Sequence, residues 1–137
     1  MNNHNELIHD WMSFSKFHNR TTRALDRILQ NKYHLGVNDF YLMVFLNENE
    51  EKQLRLSQLQ HMVGLSQSAL SRLISRLESH EMKLVERAGR AEDRRSVYAK
   101  LTVNGQKFIS ELMDDAGEAL HHSLSEKDMK NLRVFIE

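Results

Sequence analysis

Not one of the 137 residues is proline, and only five are glycine. Proline is the strongest helix breaker, so nothing in this chain forbids long helices. The few available breaks are Gly36, Gly64, Gly89, Gly105 and Gly117, and a mostly helical protein with short turns is expected. The length favours one domain with a real core, here read as residues 1–137. A hydrophobic fraction of 40% argues for a folded chain. The lack of cysteine excludes a disulfide scaffold, a zinc–cysteine site and a thiol redox switch. No apolar run approaches the roughly 20 residues of a membrane span. The opening MNNHNELIHD is polar and acidic, where a signal peptide would be basic and then apolar. A cytoplasmic protein with no membrane contact is the expectation.

The formal charge is zero, but the charges are segregated. Residues 54–100 carry nine bases and five acids, residues 1–53 six and seven, and residues 101–137 four and seven. A basic middle between neutral and acidic ends hints at a polyanion-binding centre.

Leu7, Trp11, Phe14, His18, Thr21, Leu25 and Ile28 alternate at spacings of four and three, which predicts one long helix over residues 6–33. Gly36 can stop it, and Asn38 is placed to cap a second helix through Glu48. Leu54-Arg55-Leu56 is short enough for a small strand. Ser57, with Gln60 three residues on, predicts a capping box for a short helix that Gly64 ends. Ser66 should cap the next helix, to about His80. Residues 85–88 and 97–101 alternate like strands around a polar loop, residues 89–96, and read as a hairpin with a long tip. Thr102 should cap a helix to Ser123, with Gly117 as a possible bend, and Ser125 a last helix to Phe135.

Function concentrates in the middle of the chain. Around Gly64, apolar residues stand at Leu59, Val63, Leu65, Leu70 and Leu73. Two helices meeting at a steep angle need a tight turn with glycine in it and apolar residues on both sides to lock them, which is a helix-turn-helix. In the second helix Leu70, Leu73, Ile74 and Leu77 share one face. The other face carries Gln67, Ser68, Ser71, Arg72, Ser75, Arg76 and Ser79, with no acid among them. Small hydroxyls permit close approach to a major groove. Gln67 and Arg72 can reach base edges, while the hydroxyls and the helix N-terminus bond phosphates. The hairpin tip, Gly89-Arg90-Ala91-Glu92-Asp93-Arg94-Arg95-Ser96, then reads as a wing, since arginine is drawn to the negative potential of a narrow minor groove. Asp93, two residues before Arg95, can accept from an arginine and fix its fork.

The run Asp93-Arg94-Arg95-Ser96-Val97-Tyr98-Ala99-Lys100-Leu101-Thr102, followed by Gly105, resembles the wing signature of MarR-type transcriptional regulators. Leu65-Ser66-Gln67-Ser68-Ala69-Leu70-Ser71-Arg72-Leu73-Ile74 is similar to their recognition helix. The resemblance implies a mostly α fold with a small β-hairpin. Its winged helix-turn-helix core spans about residues 38–102, between dimerisation helices at about 5–34 and 103–137. It implies a homodimeric, sequence-specific regulator of double-stranded DNA, a repressor on a pseudo-palindromic operator. Family contacts map to Ser66, Gln67, Ser68, Ser71 and Arg72. The minor-groove arginine maps to Arg95, its orienting partner to Asp93, and further phosphate contacts to Arg90 and Arg94. Leu7, Ile8, Trp11, Leu132, Phe135 and Ile136 are candidates for the interface.

The resemblance also implies release of DNA by a small aromatic effector, with Trp11, Phe14, Phe40 and Tyr41 near the expected cleft or else simply in the core. Two other readings remain open. Glu6 with His9 and Glu118 with His121 both form E-x-x-H, a pattern used in metal-carrying helical bundles. A winged helix can also bind protein. No hydrolase elbow, phosphate-binding glycine loop or zincin motif appears, so an enzyme is not expected, and no cofactor is assigned.

Overall fold

A computed structural model describes residues 3–90 and 93–136, with backbone alone at residues 90 and 93–96. Helix α1 spans Asn3–Tyr33 and α2 spans Val37–Glu48. Strand β1, Gln53–Arg55, leads into α3, Leu56–Val63, and α4, Gln67–Ser79. Strands β2, Val85–Arg90, and β3, Asp93–Leu101, precede α5, Val103–Ser123, and α6, Glu126–Leu132, which ends in a 3-10 turn, Arg133–Phe135. The helical reading holds. The small strand is real and pairs with β3, so the hairpin becomes a three-stranded antiparallel sheet in the order β1-β3-β2. Leu54 stands opposite Ala99, and Arg87 opposite the same residue from the other side. The strands run well into the expected loop, to Arg90 on one side and from Asp93 on the other. A register shift between Gly89 and Arg90 marks where the regular ladder ends.

Two caps differ from expectation. Helix α2 starts before Asn38. The Gly36 N–H donates to the Asp39 carboxylate at 2.7 Å, so a buried acid rather than Asn38 closes the helix start. Helix α3 starts before Ser57, because β1 ends at Arg55, whose N–H donates to the Gln58 side chain at 3.2 Å. Ser66, Thr102 and Ser125 act as expected, their hydroxyls accepting from the N–H of Ala69, Gly105 and Asp128. Helix α5 is continuous through Gly117.

The chain divides into two compact units, residues 35–114 and the terminal segments 1–34 with 115–137. The first buries Leu42, Met43, Leu46, Leu59, Leu70, Leu73, Ile74, Leu77, Leu84, Leu101 and Leu112 almost completely. In the terminal unit Leu25, Leu29, Ala116, Ala119 and Leu124 are buried, while Leu7, Ile8 and Trp11 are 65%, 55% and 66% exposed. The α1 stripe therefore divides. Its C-terminal part is core, with Leu29 rather than Ile28 inward, and its N-terminal part is uncovered. Among the described residues no helix is long and apolar enough to cross a membrane.

Candidate nucleic-acid interface

The turn between α3 and α4 has the geometry the glycine implies. Gly64 sits at φ +76°, in the left-handed region that costs an L-residue roughly 1–2 kcal/mol. Its N–H and that of Leu65 both donate to the Gln60 carbonyl, closing the end of α3. Leu59, Leu70 and Leu73 are buried on either side and hold the two helices together.

Helix α4 is sharply two-faced. Leu70, Leu73, Ile74 and Leu77 are each 2% exposed or less. Gln67, Ser68, Ser71, Arg72, Ser75, Arg76 and Ser79 are all exposed, as the spacing predicts. Ser66, Gln67 and Ser68 cluster around the helix start, where uncompensated N–H groups and the helix dipole favour an anion. The Ser66 and Ser68 hydroxyls are 3.4 Å apart. Ser71 and Arg72 lie one turn further on.

Two anchors on this surface are not evident from the local sequence. Arg76 reaches the buried Asp39 carboxylate at 3.2 Å, tying α4 to the start of α2. Arg87 of β2 pairs with Glu78. The same guanidinium donates to the Ser71 carbonyl at 3.0 Å, the Ser71 hydroxyl at 3.1 Å and the Ser75 hydroxyl at 3.3 Å. Ser71, Ser75 and Glu78 follow at i, i+4 and i+7, so the hydroxyl stripe continues into an acid that the acid-free reading of this face leaves out. That acid is matched by Arg87. The one signal available in the sequence was the stripe itself, since the partner lies on another element. By contrast, Gln67 and Arg72 make no hydrogen bond or ion pair among the described residues.

Arg55, where β1 meets α3, was also missed. Its Nε donates to the Tyr98 hydroxyl at 3.1 Å and its guanidinium carbon lies over the same ring, 5.7 Å from the centre. It borders a groove that also takes in Ser57, Gln60, Gln67 and Ser71. Arg90, Asp93, Arg94 and Arg95 have their backbone on β2 and β3. Their side chains, and the Asp93–Arg95 pairing, lie outside the described residues.

The chain matches the family described as transcriptional regulator SarA/Rot over residues 24–112. It belongs to the SarA/Rot family of transcriptional regulators. That match covers α4 and the whole sheet, so the SarA/Rot chain carries its helix-turn-helix and wing in the matched part. Among solved structures it is similar to AbsC, a MarR family transcriptional regulator from Streptomyces coelicolor. The identity is 25% and the TM-score 0.82, with 100% of this chain and 92% of that chain covered. Sco3205, a MarR family regulator of the same organism solved in complex with DNA, is 24% identical with a TM-score of 0.83, covering 99% and 88%. Bordetella bronchiseptica BpsR, from work on regulation of its DNA binding by 6-hydroxynicotinic acid, is 16% identical with a TM-score of 0.75, covering 91% and 88%. The fold is thus that of the MarR-type winged helix. No curated protein sequence matches.

The remaining candidates lie elsewhere. Phe40 is buried in the core, and burial pushes the half-exposed Tyr41 phenol above its ordinary pKa. The Trp11 and Phe14 rings pack at a tilt with centres 5.9 Å apart in the terminal unit, and the Phe14 ring centre lies 5.5 Å from that of Phe135. Glu6, His9, Glu118 and His121 are all exposed. Among the described residues no group of three or more histidine, aspartate or glutamate side chains converges as metal ligands.

Proposed function

We propose that this SarA/Rot-family regulator works in the cytoplasm as a single functional domain. In this reading it is a homodimer that represses transcription by binding a pseudo-palindromic duplex operator, and a small aromatic molecule releases it. Ser66, Gln67, Ser68, Ser71 and Arg72 enter the major groove. Arg95, oriented by Asp93, enters the minor groove, and Arg90 and Arg94 hold phosphates. The observation that carries this reading is the outward face of α4. Its unengaged Gln67 and Arg72 stand beside a helix start suited to phosphate, on a helix whose other face is fully buried.

The DNA complex of Sco3205 supports the choice of partner, and the hydroxynicotinate control of BpsR supports an aromatic effector. The uncovered Leu7, Ile8 and Trp11, with Val134, Phe135 and Ile136 at the other end of the chain, support a second copy as partner. Two linked half-sites add their free energies with one association cost, and their centres should lie about 34 Å apart. The test is selection of duplexes from a random-sequence pool, followed by challenge of the complex with a panel of aromatic acids. A recovered inverted repeat supports the reading, and a pool that never enriches ends it.

A further inference from the structure

The guanidinium of Arg87 sits where β2, the first strand of the wing, passes the recognition helix. It is only about one-third exposed, as is its partner Glu78. Glu78 grips it twice: one carboxylate oxygen takes the Arg87 backbone N–H at 3.3 Å, and the other takes the guanidinium. The free side of the guanidinium spans a full helical turn of α4, through the Ser71 carbonyl and the hydroxyls of Ser71 and Ser75. One side chain thus fixes three residues of α4 against the strand that carries the wing. It also sets the chemistry of two exposed hydroxyls. A serine oxygen that accepts from a guanidinium has its own O–H left to donate. The phosphate oxygens, and the N7, O6 and O4 atoms of the major groove, are acceptors.

We propose that Arg87 is a positioning residue for DNA discrimination, locking α4 to the wing strand and turning the Ser71 and Ser75 hydroxyls into donors aimed at the duplex. This deepens the DNA-binding reading above and rests on it. Arg87 acts through the serines and through the relative placement of α4 and β2, without itself contacting DNA. Glu78 holds it in that role by neutralising a cation that would otherwise seek phosphate.

The experiment compares the full-length protein with its Arg87→Ala and Glu78→Gln variants. Each is titrated against the duplex recovered by selection and a scrambled duplex of the same length, across a range of salt. Thermal unfolding of each protein without DNA confirms that the variants are folded at the assay temperature. Both variants should lose about tenfold in the ratio of selected to scrambled affinity, with the salt dependence of scrambled binding unchanged for Arg87→Ala and steeper for Glu78→Gln, whose released cation reaches phosphate. A salt slope shallower by roughly one phosphate contact for Arg87→Ala means that Arg87 binds DNA directly and overturns the proposal. So does a wild-type affinity ratio in either folded variant. If Arg87→Ala melts below the assay temperature, Glu78→Gln, which keeps the side-chain shape, decides alone. A wild-type protein that does not distinguish the two duplexes overturns the DNA-binding reading together with this inference, whereas loss confined to the variants' ratios leaves both standing.

Discussion

At the scale of single residues, the exposed face of α4 divides its polar side chains into those already engaged and those left over. Ser71, Ser75 and Arg76 are held by Arg87 and Asp39, while Gln67 and Arg72 are without partners among the described residues. A guanidinium that gives up no internal bond on meeting DNA has only its hydration and rotamer freedom to lose there. Arg72→Ala should therefore weaken binding to the selected duplex by about 1–3 kcal/mol, roughly 5- to 150-fold, and relax preference at one base position. Competition against single-base variants of the duplex reads this out. Arg95→Ala should weaken binding strongly with the protein still folded, and an unchanged titration would remove the wing from the interface. These residues also mark what the sequence allows one to read. Gln67 and Arg72 are legible because the apolar face of α4 is unambiguous and everything opposite it must face out. Arg87 and Arg55 are not, because their roles depend on partners 16 and 43 positions away in the chain.

At the scale of elements, backbone geometry decides which positions tolerate change. Gly64 and Gly105 make a natural contrast. A Cβ at Gly64 would meet nothing within 4 Å, so the cost of alanine there is the left-handed conformation alone. A Cβ at Gly105 would stand 2.2 Å from the Leu84 carbonyl oxygen, where the start of α5 crosses the chain entering β2. Gly64→Ala should cost about 1 kcal/mol and Gly105→Ala about 3 kcal/mol, measured by denaturant unfolding. The glycine in the wing signature thus has a packing reason. In the terminal unit, Asp115 of α5 accepts from Lys32 at 2.8 Å and from the Tyr33 hydroxyl, both at the end of α1. Those bonds hold its carboxyl below the usual carboxylate range. A carboxyl depressed by folding stabilises the protein above its unfolded pKa of about 3.9, and the contribution is lost as pH falls through the folded value. Acid titration of the wild type should therefore show loosening below about pH 4, and Asp115→Asn should flatten that part of the curve. The caps show how far local reading reaches. Ser66, Thr102 and Ser125 bond a backbone N–H three residues on, so the sequence displays them. The start of α2 depends on Asp39, whose carboxylate is fixed both by Gly36 and by the distant Arg76. The wing strands outrun expectation because their outer residues are polar, and ladder pairing leaves no apolar alternation to read.

At the scale of the whole molecule, the family and the fold were legible and the assembly was not. The wing run and the helix-turn-helix spacing pointed to the MarR-type fold that the SarA/Rot match and the solved structures bear out. Dimerisation has no comparable signature, because an apolar residue that faces a partner looks in sequence like one that faces the core. Of the stripe on α1, Leu25 went inward, while Leu7 and Trp11 stayed uncovered. Trp11→Ala should weaken self-association and, through loss of the second half-site, lower operator affinity by far more than it alters the fold. Sedimentation velocity on the variant checks the first, and a half-site duplex, bound equally by both proteins, checks the second. If the two copies fold as one unit through that surface, the heat resistance of the protein becomes a function of how much of it is present. Diluting the sample would lower its unfolding temperature. A cell producing little of the regulator would then lose its control twice over, through scarcity and through the fragility of the lone chain.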